Sequence, residues 1–484
     1  MRCGFVGRER ELSTLQRLVD KQATSLVVVT GRRRIGKSRL VQEFGERNPE
    51  YRYLSIAALA PQPGIAAANQ REAFADQMAE GVGIPPVTHD DWLDLFTHLA
   101  KATERDRWIV LLDEISWMGK DDPEFLPKLK IAWDKHFNRS ANLILVLCGS
   151  VSSWLEKNIL AGTGFVGRVS LHLRIEGLPM PDCDHFWGKA RKRTSFYDKL
   201  KILAVTGGVP RYLEEVVVRQ SAEENIRHLC FSPEGLLFRE FDQIFSDLFD
   251  KRSAIYRRIV ESLAEGHGTL NEICRRLGIE KGGAISAYLE DLVLAGFLKR
   301  DYTWDLKTRN HSNLSRFRLQ DNYVRFYTRY IQPNRVKIED HRLDAGPLSA
   351  LPGWESIVGL QFENLVLANR GFIWRQCGLS PAEVELDGPY FQRPTRRHRG
   401  CQIDYLIQAR HGPVYLCEIK FSRSPVSTVT EHEVREKIER LAVPRHCSVL
   451  PVLIHANEVS EAVKYGDTFA RIVDFADILR GPGS

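Results

Sequence analysis

Gly31-Arg32-Arg33-Arg34-Ile35-Gly36-Lys37-Ser38 fits the pattern G-x-x-x-x-G-K-[ST], and its flanks decide how it is read. Before it, residues 24 to 30 (Thr-Ser-Leu-Val-Val-Val-Thr) form a short β-branched apolar run. After it, Lys37 to Phe44 carries apolar residues at helical spacing, Leu40, Val41 and Phe44. Strand, glycine-rich turn and helix in that order make a cradle for an anion, because glycines let the backbone wrap closely and successive N–H groups at a helix start face the charge. Two more apolar runs follow: Trp108 to Leu112, ending in Asp113-Glu114, and Leu143 to Leu147, ending in Cys148-Gly149-Ser150. Near-continuous apolar strands separated by helical patterns indicate a parallel sheet covered on both faces. Such sheets place ligands at the carboxyl ends of their strands.

These positions give a nucleotide site. Lys37 is expected to meet the β and γ phosphates of ATP, with Gly31, Ile35, Gly36, Ser38 and Arg39 completing the cradle and the first helical turn. Ser38 and Asp113 would hold Mg²⁺, and Glu114 would polarise the attacking water. Ser150 reads either as a contact to the γ phosphate or the water, or as a simple turn serine.

The 484 residues are too many for one ordinary core and suggest several domains. With 43% hydrophobic residues and no apolar run of about 18, neither a disordered nor a membrane-spanning chain is expected. Lys+Arg exceed Asp+Glu by only 68 to 62, so an anionic partner must be met by local patches. Nine cysteines without a C-x-x-C pair give no disulfide framework or zinc site, and no targeting segment opens the chain, which together fit a cytoplasmic protein.

Reading onward, residues 1–176 form the α/β unit and residues 177–245 a helical lid, broken at Thr206-Gly207-Gly208-Val209-Pro210. In residues 246–325, three helical patterns (Ala254 to Leu263, Thr269 to Leu277, Gly283 to Leu294) precede two strand-like pieces, the pattern of a winged helix. Its recognition helix would start near Lys281, Ser286 and Tyr288, with Arg275, Arg276, Lys299, Arg300, Lys307 and Arg309 nearby. It serves either duplex phosphates or as a protein connector. Residues 326–352, ending in Gly346-Pro347 and Leu351-Pro352-Gly353, read as a linker.

Residues 353–484 read as a second α/β unit. Asp404 lies in the strand Gln402 to Gln408, and Glu418 with Lys420 lies in the strand Val414 to Lys420, where i and i+2 share a face. Two carboxylates on adjacent strands, with Glu363 from the preceding helix, suit Mg²⁺ or Mn²⁺ beside a scissile phosphate, and Lys420 suits its developing charge. Arg393, Arg396, Arg397 and Arg399 are candidates for holding a phosphate backbone. A solvated strand edge with an ordinary Glu/Lys pair is the bland reading.

Phe5-Val6-Gly7-Arg8-Glu9, the Gly31 to Ser38 loop, Leu112-Asp113-Glu114, Cys148-Gly149-Ser150 and Gly207-Gly208-Val209-Pro210-Arg211-Tyr212-Leu213 resemble the archaeal-type ATPases of the AAA+/STAND group. The resemblance implies a nucleotide-contacting role for Arg8 and Pro210. It also implies that Arg168, after Gly164-x-x-Gly167, completes a neighbouring subunit's site in a homo-oligomer, unless it is a plain surface arginine. The order Glu363, Asp404, Glu418-x-Lys420, Lys437 is similar to the PD-(D/E)xK nuclease fold and to the DUF234 domain often fused to such ATPases. The fold expected is therefore α/β and multidomain: a P-loop parallel sheet with helical lid, a winged helix and a restriction-endonuclease-like α/β domain. The function expected is ATP binding and hydrolysis gating a metal-dependent DNA nuclease, with no membrane partner. A STAND-like nucleotide switch that binds DNA or protein without cutting is the alternative, and a DNA motor or loader is a weaker third.

Overall fold

The structure, a computed structural model, describes residues 4–62, 64–85, 90–119, 121–140, 142–150, 153–249, 253–343, 346–394, 399–445 and 447–479. Its first sheet has five parallel strands: β1 (Ser25–Gly31), β2 (Arg52–Ala57), β3 (Trp108–Asp113), β4 (Leu143–Ser150) and β5 (Val169–Ile175), in the order β2-β3-β4-β1-β5. Strands β1 and β4 are buried throughout, as continuous apolar runs require, whereas β2 alternates at the sheet edge and leaves no such run in the sequence. The register pairs Gly31 with Ser150 and with Ile175, and Ala57 with Asp113, so the strand ends bearing the motifs line one edge. Gly31 must lack a side chain there, since a Cβ would stand 2.6 Å from the Ile175 carbonyl oxygen. Helix α1 (Glu9–Lys21) and helix α2 (Lys37–Arg47) flank this edge.

The stretch expected to form a lid holds helices Phe196–Thr206, Pro210–Leu213, Ala222–Cys230 and Leu236–Phe249 and keeps that label below. Its break falls at Gly207, whose φ of 59° and ψ of −160° suit glycine alone. Helices Ser253–Ser262, Leu270–Leu277 and Gly283–Leu294 then lead into an antiparallel hairpin of β6 (Leu298–Trp304) and β7 (His311–Leu319). A capping box between Thr269 and Glu272 starts the second helix, and Gly278 ends it in the left-handed region.

The second five-stranded sheet has the order β12-β11-β10-β9-β8, from β8 (Val384–Gln392), β9 (Cys401–Ala409), β10 (Val414–Lys420), β11 (Val449–His455) and β12 (Arg471–Asp474). It is antiparallel through β8, β9 and β10 and parallel through β10, β11 and β12. Helices Trp354–Ala368 and Thr428–Arg440 carry Glu363 and Lys437.

Two expectations change. The stretch 326–352 is not an open linker: Phe326, Tyr327, Tyr330 and Ile331 are buried, and Trp354 packs against Phe326 and Tyr330. Aromatic residues ahead of the glycine and proline punctuators supply enough apolar surface to fold it onto the core. The hairpin likewise differs from a free wing, because β6 packs against β8, while Lys299, Arg300, Lys307 and Arg309 stay exposed. Trp304 Nε1 donates to Gln408 Oε1 (2.9 Å), Gln408 Nε2 donates to the Leu306 carbonyl (2.8 Å), and Arg309 Nη2 donates to the Arg410 carbonyl (2.8 Å). The lid joins this assembly through a shared core in which Met180, Leu200 and Leu203 meet Phe362, Phe372 and Phe475. Among the described residues no helix is long and apolar enough to cross a membrane.

Candidate functional site

The expected phosphate site assembles at the carboxyl edge of the first sheet. Gly36, at φ 90°, turns the chain into α2, so the unpaired N–H groups of its first turn open toward the edge. Lys37 is buried, with Nζ 3.4 Å from the Arg32 carbonyl and 4.0 Å from Glu114 Oε1. Ser38 Oγ donates to Asp113 Oδ2 at 2.6 Å, which brings together the two oxygen donors that Mg²⁺ would take from the protein. Glu114 sits at φ 52°, an uncommon conformation for a non-glycine residue. From there its carboxylate accepts from the Ser150 amide (3.3 Å) and hydroxyl (3.5 Å). Ser150 thus orients Glu114, a role that its position at a strand end did not specify.

Arg8 and Pro210 brace this loop. Arg8 is buried and donates to the Ile35 carbonyl (3.1 Å) and to Glu11 (3.2 Å); burial pushes its pKa down, against the pull of Glu11. Pro210 opens the lid helix over Gly36, where a Cβ would lie 3.9 Å from its Cγ. Arg39 differs from expectation, because its guanidinium is taken by Glu43 and Glu46 on the outer face of α2, leaving only its backbone toward the loop. Arg168 is not at this site either. It precedes β5, at the opposite end of the sheet, and forms a two-bond pair with Asp134 (2.7 and 2.9 Å).

The variable positions of the loop carry contacts that the motif does not encode. Arg32 Nε lies 2.7 Å from Asp321 Oδ2, both side chains nearly sealed from solvent, and its guanidinium stands over the Tyr212 ring. Burial opposes the Arg32 charge, but Asp321, Tyr212, Glu240 and Tyr323 together outweigh it and the pKa is raised. Arg34, at φ 68°, reaches Glu240 in the lid at 3.1 Å. Asp321 also caps the helix after the hairpin by accepting from the Val324 amide (3.0 Å). Its neighbour Asn322 exchanges hydrogen bonds with Gln361 (3.2 and 2.9 Å) and accepts from Asn364 (3.0 Å). The phosphate loop is therefore linked, contact by contact, to the helix bearing Glu363.

That helix faces the second cluster. Asp404 Oδ2 accepts from the Ile419 amide (3.0 Å), and Lys437 Nζ lies 2.5 Å from Glu418 Oε2 and 3.9 Å from Asp404 Oδ1. Lys420 Nζ lies 3.1 Å from Glu418 Oε1 and 2.8 Å from Glu433. Burial and the Asp404 charge push Glu363 up to about 8, and burial and Glu418 push Asp404 up to about 6. Burial alone would lower Lys420, but Glu418 and Glu433 hold it above its usual value. The sequence-predicted Glu363, Asp404, Glu418 and Lys420 thus share one electrostatic environment. In it the charge of Glu418 is met by two ammonium groups, and among the described residues no three His, Cys, Asp or Glu side chains gather as a metal site. Arg393 and Arg399 are exposed, whereas Arg396 and Arg397 lie outside the described residues.

Residues 5–216 match the family described as "ATPase domain predominantly from Archaea". The chain is 27% identical over 365 residues to an uncharacterised protein of Methanocaldococcus jannaschii, covering 75% of this chain and 76% of that one. Its fold is similar to that of a Walker-type ATPase of Pyrococcus abyssi, with a TM-score of 0.50 and 17% identity over 67% of this chain and 96% of the other. The ORC2 protein of Aeropyrum pernix overlaps less closely, with a TM-score of 0.41 and 14% identity over 69% and 95%. The amino-terminal part of the chain thus matches an ATPase-domain family over residues 5–216 and shares the fold of a Walker-type ATPase.

Proposed function

We propose that this protein hydrolyses ATP at the Lys37–Ser38 site and uses the nucleotide state to govern a second, DNA-directed site around Asp404, Glu418 and Lys420. The observation that carries the first half is the meeting of Lys37, Ser38, Asp113, Glu114 and Ser150 at one sheet edge. Lys37 leaves Glu114 for the phosphates when ATP enters, and Glu114, freed of that charge but still held by Ser150, orients water for in-line attack. Ser38 and Asp113 would hold Mg²⁺, which would lend positive charge to the phosphate oxygens, and Asp404 and Glu418 would hold a divalent cation, which would acidify a water.

Support for the second half comes from the electrostatics of the cluster. Two carboxyl groups with raised pKa values, one beside Glu418, are the situation that a divalent cation relieves. Lys437 would yield Glu418 to the cation, and Lys420 would remain to face the phosphate. The helix–hairpin unit, read as a winged helix, would present this cluster to DNA rather than insert its tip. Arg168, paired with Asp134 away from this chain's own phosphate site, would complete a neighbouring subunit's site, so a homo-oligomer belongs to the same proposal.

The second reading is a nucleotide switch with a silent carboxyl-terminal fold. It is favoured by the two lysines that already neutralise Glu418. Circular and linear, single- and double-stranded DNA incubated with Mg²⁺ or Mn²⁺, with and without ATP, separates the two. Cutting lost in Lys420→Ala and altered in Lys37→Ala supports gated cleavage. DNA binding without cutting under any condition leaves the switch.

A further inference from the structure

Arg316 in β7 is held in an unusual setting. Its neighbours in the structure have counter-charges: Arg318 has Asp301 at 2.9 Å, and Arg410 has Glu385 at 2.9 Å. Arg316 has no carboxylate at ion-pair distance among the described residues. Its Nη1 meets two neutral groups, His267 Nε2 (2.7 Å) and Gln402 Oε1 (2.9 Å), while its buried Nε has no hydrogen-bond partner. The guanidinium is stacked 4.6 Å from the Phe391 ring centre. Burial lowers its pKa against the pull of Glu272, the one carboxylate that acts on it, and Arg393 adds a smaller downward push. Arg325, also without a carboxylate, is different in kind, because it is wholly enclosed and donates to the carbonyls of Leu319 and Ala264.

A half-buried, stacked cation with only neutral acceptors is a costly arrangement that an anion would relieve. Gln402 is exposed, so its carboxamide can be replaced by an incoming oxygen. It lies two residues before Asp404 in β9, on the same face and about 7 Å along the strand. That separation is comparable to the step between consecutive phosphates of an extended nucleic-acid strand. Phe391 pairs with Gln402 across the sheet, so the ring, the amide and the carboxylates line one surface.

We infer that Arg316, with His267 and Gln402, forms a phosphodiester subsite next to the Asp404–Glu418 cluster, shared between the helix–hairpin unit and the carboxyl-terminal sheet. It rests on the reading of that cluster as DNA-directed, and it takes the backbone of a nucleic-acid strand one nucleotide from the cluster. The planar fork and stacked face of arginine suit a phosphate oxygen pair, which an ammonium in this place would not. The hairpin must be docked on the sheet for the subsite to exist.

Binding of a fluorescent single-stranded oligonucleotide to the full chain, without divalent metal and across a range of salt, tests this separately from cleavage. Arg316→Gln is expected to weaken binding about tenfold and to reduce the slope of log K against log salt by about 0.7. Arg410→Gln, which removes a carboxylate-paired cation from the far end of the same sheet, should keep the wild-type slope. Gln402→Glu guards against a folding defect, since it supplies the missing counter-charge: it should raise the melting temperature while weakening binding. A wild-type slope in Arg316→Gln, tight binding in Gln402→Glu, or no binding by the wild-type chain overturns the subsite. Absence of cutting in Mg²⁺ with these binding effects intact would reject the nuclease reading alone.

Discussion

Asp321→Asn isolates the charge that joins the phosphate loop to the rest of the molecule. The amide keeps an oxygen to cap Val324, so only the counter-ion of Arg32 is removed. With side chains 10% and 3% exposed and charged atoms 2.7 Å apart, the pair is buried, and leaving one partner uncompensated costs about 3–5 kcal/mol. The transition that unfolds the ATPase unit should therefore move down by several degrees, at about 2–4 °C per kcal/mol for a unit of this size. Arg32→Met leaves the carboxylate stranded and should cost a similar amount. The double variant Arg32→Met/Asp321→Leu replaces both charges by apolar groups beside Tyr212 and should recover most of the loss. Nucleotide affinity, measured by titration with a fluorescent ATP analogue, should follow the same order, because Arg32 helps fix the loop that Lys37 completes. Burial also makes the coupling insensitive to salt. A double variant whose loss equals the sum of the single losses would refute the coupling, and a loss that disappears in high salt would refute the burial argument.

Glu114→Gln should bind ATP with near wild-type affinity and turn it over about a hundredfold more slowly or worse, whereas Lys37→Ala should lose binding itself; equal kinetics for Glu114→Gln and the parent would remove Glu114 from the reaction. A carboxyl whose folded pKa is raised binds its proton more tightly in the native state, so its contribution is present at low pH and is lost as pH rises through the folded value. With Asp404 raised to about 6 and Glu363 to about 8, the melting temperature should fall from pH 5 to above pH 8, and Glu363→Gln should flatten the upper half of that profile. Gln408→Leu removes two buried hydrogen bonds between hairpin and sheet, and a loss of about 2 kcal/mol should appear as faster hydrogen exchange in β6 and β7. Arg168→Ala should leave ATP affinity unchanged and slow turnover only at concentrations where chains associate, and an effect independent of concentration would exclude a role in trans.

What the sequence discloses about this fold follows from where the physical constraint is local. The strand ends at Gly31, Asp113 and Ser150 are readable because a doubly covered parallel strand must be apolar along its length and must stop where the polar site begins. Edge strands escape that rule. Arg52–Ala57 alternates and has no apolar run, and the first half of Val384–Gln392 is half-buried at the far edge of its sheet. The helix Arg370–Gln376 is as hard to read, because it is short and its apolar side packs on distant residues of the lid and on Phe475. Asp404, Glu418 and Lys420 are legible from strand alternation, but their meeting with Lys437 depends on how a helix crosses the sheet, which no spacing encodes.

The three consecutive arginines of the phosphate loop show why a motif gives only half of a site. Gly31, Gly36, Lys37 and Ser38 answer to the geometry of a phosphate, and the pattern leaves the intervening positions free. Cationic side chains placed there cannot all point at the ligand, and those turned into the protein need carboxylates, since a buried unpaired charge is costly. For Arg32 and Arg34 these are Asp321 and Glu240, hundreds of residues away in sequence but each in contact with the loop. Glu240 lies in the lid, and Asp321 lies at the joint from which Asn322 reaches Gln361 and Asn364. A loop that must admit and release phosphates is therefore fastened on one side to the lid and on the other to the helix that bears Glu363. Any change in loop conformation must either carry those partners with it or strand a buried charge, and that requirement would give the proposed coupling of nucleotide to the distant carboxylates its physical basis.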